Sequence, residues 1–124
     1  MFKKLNNYEV RGAALNWFDS YLSNRSQCVC LGSVYSNFSG IKCGVPQGSI
    51  LGPLLFIIYI NDIVNSSTLL TFIMFADDTN LFASNKNLDI LIKENNIEVD
   101  KVSLWLKINK LSLNIKKTQF ILFS

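Results

Sequence analysis

Histidine is absent from this 124-residue sequence, and cysteine occurs three times, at Cys28, Cys30 and Cys43. The cysteines lack zinc-ligand spacing, and no histidine is available to complete a zinc set. An odd number of cysteines, with no recognisable signal or transit peptide at Met1, points to a reducing compartment. The expected location is therefore intracellular, nuclear or cytoplasmic, and not secreted. All three cysteines read as small apolar residues, with Cys28 and Cys30 on one face of a strand-like run. Long apolar runs are also missing. The nearest, Ile50 to Ile60, is too short to span a bilayer, contains Gly52 and Pro53, and ends at Asn61-Asp62. A buried helix is expected there, and no membrane partner. No internal repeat, low-complexity tract or linker is visible.

Charge is sparse: twelve basic and nine acidic residues leave +3, compatible with nucleic-acid binding but too mild to argue for it. A chain of this length forms one domain at most. Hydrophobic residues make up 49%, enough for a core and high for a unit that stands alone. The surplus predicts surface that packs against further protein.

Periodicity divides the chain into elements. Leu15, Phe18 and Leu22 recur at helical spacing, flanked by Trp17 and Tyr21, and predict a helix over Arg11 to Asn24. Gln27 to Leu31 and Val34 to Lys42 read as strands joined around Gly32-Ser33. Gly44 to Ser49 is a turn, followed by an apolar helix from Ser49 to about Val64, with Pro53 tolerated in its first turn. Leu69 to Met74 and Thr79 to Ala83 are nearly continuous apolar runs and predict a hairpin whose sheet is covered on its back face. Leu88 to Lys107 is a long amphipathic helix with Leu88, Leu91, Ile92, Asn95, Val99, Val102 and Leu106 on its inner face. Thr118 to Phe123 is a final strand. The order predicts an α+β fold, an antiparallel sheet with helices packed on one face.

The most informative stretch is Phe75-Ala76-Asp77-Asp78, at the tip of the second hairpin. Adjacent carboxylates repel, and along a regular strand they point to opposite faces. A turn relaxes the second constraint and a divalent cation the first, so an Asp-Asp tip suits Mg²⁺ beside a phosphate. Asp-rich turns also form for local backbone reasons alone. Upstream lies Gly44-Val45-Pro46-Gln47-Gly48-Ser49-Ile50-Leu51-Gly52-Pro53-Leu54-Leu55-Phe56, running on to Asn61-Asp62-Ile63.

These segments together resemble reverse transcriptases of non-LTR (LINE-type) retrotransposons. Pro46-Gln47-Gly48 resembles the family's Pro-Gln-Gly motif, and Phe75-Ala76-Asp77-Asp78 its aromatic-x-Asp-Asp motif. Asn109-Lys110-Leu111-Ser112-Leu113-Asn114 with Lys117-Thr118 resembles the next palm motif. Arg11-Gly12, Trp17-Phe18, Ser20-Tyr21-Leu22, Arg25 and Gln27 fit the segment preceding the Pro-Gln-Gly turn. The resemblance covers nearly the whole chain.

It implies a partial polymerase palm over residues 1–124 and RNA-directed DNA synthesis from RNA template, DNA primer and dNTPs. Two Mg²⁺ ions would be held through Asp77, the principal ligand, and Asp78. Pro46, Gln47 and Gly48 would lie against the templating base pair, Phe75 would support the hairpin from the core side, and Lys117 would contact the triphosphate or protonate pyrophosphate. The family also needs a third carboxylate on a strand before Arg11-Gly12, together with fingers and a thumb. These 124 residues supply none of these; Asp19 sits inside a helix without the motif around it. The expectation is a palm fragment that binds Mg²⁺ weakly or not at all and is inactive alone. The alternative is a non-catalytic nucleic-acid-binding module or a decayed palm-like remnant.

Overall fold

The computed structural model describes residues 1–46 and 48–123. Two units divide the chain, Met1–Ile60 and Asn61–Ser124.

The first unit begins with a short helix, α1 (Phe2–Asn7), at a place where the sequence carries no clear periodicity. Its end is a Schellman-type cap: Val10 N–H donates to Leu5 O and Glu9 N–H to Asn6 O, with Glu9 at φ 61° in the position usually given to glycine. Leu5 is fully buried. α2 (Gly12–Leu22) lies within the predicted helix. Leu15, Phe18 and Leu22 are its half-buried side, while Trp17 stacks on Tyr21 with ring centroids 5.4 Å apart. α3 (Leu51–Ile60) follows the Pro46 turn and buries Leu55 and Ile60. Lys4 ties α1 to α3: its ammonium donates to Tyr59 O and lies 4.6 Å from the Tyr59 ring centroid.

Between α2 and α3 the expected hairpin forms in two pieces. β2 (Cys30–Leu31) pairs with β3 (Val34–Tyr35) around Gly32-Ser33, and β1 (Ser26–Gln27) pairs with β4 (Ser39–Gly40). The break has a local cause. Val29 N–H donates to the Ser36 side-chain hydroxyl at 2.9 Å, so a side chain takes the place of a ladder carbonyl. Cys28 is half-buried and Cys30 exposed, in place of the shared face expected of a continuous strand.

In the second unit, the predicted end of the preceding helix is a 3₁₀ helix (Asn61–Ser66). β5 (Thr71–Phe75) and β6 (Asp78–Phe82) form the expected antiparallel hairpin in full register. Its strands are not buried on both sides: half-buried and exposed residues alternate along each one. α4 (Leu88–Ile108) is capped by Asn87, whose side chain accepts from Ile90 N–H. Its inner face is shifted from the expected one. Glu98 and Val102 are buried, and Leu88 and Ile92 are exposed. Glu98 is accommodated because Lys101 Nζ lies 2.6 Å from its Oε1, while its buried Oε2 meets no hydrogen-bond partner. Ser67 accepts from Leu69 N–H and Leu70 N–H just before β5. The Thr118–Phe123 segment is not a strand: it runs unpaired and exposed after a turn at Asn114–Thr118. The chain is α+β, as expected, and among the described residues its antiparallel pairing is divided among three two-stranded ladders.

Candidate functional site

In the first unit, the Pro-Gln-Gly segment closes a four-residue turn: Ser49 N–H donates to Pro46 O at 3.3 Å. Gly48 has φ 75°, a left-handed conformation that glycine adopts without the penalty of a Cβ. A Cβ at Gly48 meets nothing within 4 Å, so glycine is required there by backbone conformation and not by crowding. The Ser49 hydroxyl then accepts from Gly52 N–H at 3.0 Å and starts α3 in the manner of an N-cap. Gly52 is buried, and a Cβ on it would come within 3.0 Å of Ser49 Oγ and 3.5 Å of Val45 Cγ2. The turn therefore folds tightly back onto the first turn of its helix. Pro46 is half-buried. Gln47 lies outside the described residues.

In the second unit, Phe75 faces Asp78 across the last rung of the β5–β6 ladder. Only Ala76 and Asp77 remain to make the turn. Ala76 has φ 52°, a left-handed conformation that costs a residue with a Cβ about 1–2 kcal/mol. Two-residue hairpin turns usually place Gly, Asn or Asp there. The aspartates thus differ in setting: Asp77 stands on the turn, and Asp78 is the first residue of β6. Both are exposed. Phe75 does not support the hairpin from the core side. It is 80% exposed, because the alternation of β5 buries Phe72 and Met74 in part and sends Thr71, Ile73 and Phe75 to the open face.

Lys117 is exposed in a turn of its own, its N–H donating to Asn114 O. It makes no ion pair with Asp77 or Asp78. A cavity of about 70 Å³ opens at the other end of the hairpin, among Leu69, Leu70, Ala83, Ser84, Leu91 and the Glu94–Glu98 turn of α4. It is well below the 300–1,000 Å³ of ordinary ligand pockets.

Asp77 and Asp78 offer hard oxygen donors of the kind that bind Mg²⁺, an ion that takes one or two carboxylates and retains waters or phosphates. Among the described residues, no three His, Cys, Asp or Glu side chains gather into a potential metal group. Sequence reasoning missed the exposure of Phe75 and the burial of Glu98. Phe75 is one position out of step with Phe72 and Met74, and only the ladder register shows which of the two faces is open.

No curated protein and no solved structure matches the chain. The family model for reverse transcriptase (RNA-dependent DNA polymerase) matches residues 1–122. With a match over nearly its whole length, the chain belongs to the reverse transcriptase family.

Proposed function

We propose that residues 1–124 are a palm segment of a LINE-type (non-LTR) retrotransposon reverse transcriptase, and that Asp77 and Asp78 are its metal-ligating carboxylates. The observation that supports this reading is the Phe75–Asp78 rung, which leaves Asp77 on the turn and Asp78 at the start of β6, both exposed. When bound there, Mg²⁺ supplies activation of the primer 3′-hydroxyl and neutralisation of triphosphate charge.

The protein's own contribution is positioning. Asp77 would be the principal metal ligand, and Asp78 would assist beside the primer terminus. Pro46, Gln47 and Gly48 lie against the templating base pair. Phe75, exposed beside Asp78, faces substrate and not the core. Lys117 contacts the triphosphate or donates a proton to the departing pyrophosphate. RNA template, DNA primer and dNTPs are the substrates.

Two carboxylates on one hairpin do not anchor two ions, so the 124-residue polypeptide by itself binds Mg²⁺ weakly and does not extend a primer. The test is purified chain with RNA template, DNA primer, Mg²⁺ and dNTPs. No extension is expected, and extension that Asp77→Ala abolishes would overturn the requirement for a third carboxylate.

A further inference from the structure

Helix α4 buries a carboxylate that its own unit satisfies on one side only. Glu98 is 3% exposed, and Lys101 Nζ meets its Oε1 at 2.6 Å. Its Oε2 is buried with no hydrogen-bond partner. A buried charged oxygen without a donor is costly. Glu98 also lines the cavity of about 70 Å³ between α4 and the open end of the β5–β6 hairpin, which lies wholly within the second unit.

The walls of this cavity are of two kinds. Leu69, Leu70 and Leu91 make an apolar side, and Glu94 joins Glu98 on a polar one. The two glutamates are four residues apart on α4, so they project from one face of the helix. Glu94 Oε2 accepts from Asn85 Nδ2 at 3.3 Å, a bond to a neutral amide that leaves the charge of Glu94 in place. Two carboxylates against the one ammonium of Lys101 give a local balance of −1.

That balance selects a monovalent cation, and the leucines select one that carries carbon. Mg²⁺ keeps several waters and Ca²⁺ takes about six to eight oxygens. Among the described residues no three His, Cys, Asp or Glu side chains gather to supply them. An alkylammonium group matches both walls, with its charged head on the carboxylates and its methylenes on apolar surface. The volume admits the tip of such a chain and excludes a nucleotide or a ring system.

We infer that this cavity is a site for a primary alkylammonium group, whose N–H donors bond Glu98 Oε2 and Glu94 while its carbon chain lies on Leu70 and Leu91. A small free amine and a lysine side chain both carry this group.

The test is an NMR titration of the ¹⁵N-labelled 124-residue chain at pH 7 with n-butylammonium chloride, against NaCl at equal ionic strength. Saturable shifts are expected at the amides around Leu70, Ala83 and Glu94. n-Butanol, of the same shape without the charge, binds about tenfold more weakly or less. Glu94→Gln, at an exposed position of α4, weakens n-butylammonium about tenfold. Ala83→Leu, at an exposed wall residue, fills the space and abolishes binding. Both variants spare the buried Glu98–Lys101 pair, so the test does not depend on a change that could unfold α4. Nα-acetyl-lysine methylamide separates the two sources: its binding points to a lysine side chain and its exclusion to a free amine, and either result keeps the ammonium site. Four results would overturn the inference. These are no saturable shift by the folded chain, equal binding of n-butanol, unchanged binding in Glu94→Gln and Ala83→Leu, and the same shifts produced by CaCl₂ at the same concentrations.

Discussion

Phe75 and Asp78 face each other on the last rung of the β5–β6 ladder, and this pairing fixes the geometry of the hairpin tip. It confines the turn to Ala76 and Asp77, forces Ala76 to a positive φ, and puts one carboxylate on the turn and the next on a strand.

Ala76→Gly is expected to stabilise the chain by about 1 kcal/mol, because the left-handed penalty of a Cβ exceeds the entropy that glycine adds to the unfolded state. Ala76→Val is expected to destabilise it, since a β-branched residue is a poor fit at positive φ. Urea midpoints measure both. A stability order with valine above glycine would refute the turn geometry.

Lys110 ends α4 at φ 57°, with Leu111 N–H donating to Leu106 O and Lys110 N–H to Lys107 O. These are the two bonds of a Schellman cap, whose left-handed residue is usually glycine. Lys110→Gly is expected to raise stability by about 1 kcal/mol. A loss of stability in thermal melts would show that α4 ends differently.

Leu55 is 1% exposed on α3. Leu55→Ala is expected to cost about 2–5 kcal/mol, a large share of what so small a chain possesses. A denaturation midpoint within error of the parent would remove Leu55 from the core.

The Glu98 carboxyl is held below its ordinary value of 4.5 by the Lys101 ammonium first and the Ser67 hydroxyl second, against burial, which pushes it up. A depressed folded-state value contributes stability that is present above the unfolded value and lost as pH falls through the folded one. Melting temperature is therefore expected to fall as pH drops below about 4.5, and Glu98→Gln is expected to flatten that part of the profile. An acid profile identical in the variant would contradict the pairing.

Elements governed by local pattern were legible in the sequence. The periodic apolar face of Leu88 to Lys107 gave α4 to within one residue. The apolar runs around Asp77-Asp78 gave β5 and β6, and the apolar run after Ser49 gave α3. Long-range features were not legible. Glu98 is buried with Lys101 against its Oε1, and a charge on a helix face does not reveal such a partner. Thr118 to Phe123 has strand composition, but a strand needs a neighbour, and none pairs with it among the described residues. The first hairpin breaks at Val29 because one serine hydroxyl substitutes for a backbone carbonyl. At the candidate site, the hairpin with Asp77 and Asp78 at its tip was legible from the flanking apolar runs, while the exposure of Phe75 follows from a register that only the folded ladder reveals.

The most direct test of the account is primer extension by a longer polypeptide that joins this chain to fingers, a thumb and a palm strand carrying the third carboxylate. Asp77→Asn is expected to abolish extension while leaving the fold intact by circular dichroism. Asp78→Asn is expected to impair it less, and Gln47→Ala to act mainly on nucleotide use. Full activity in Asp77→Asn would contradict the two-metal assignment and, with it, the functional reading of the hairpin.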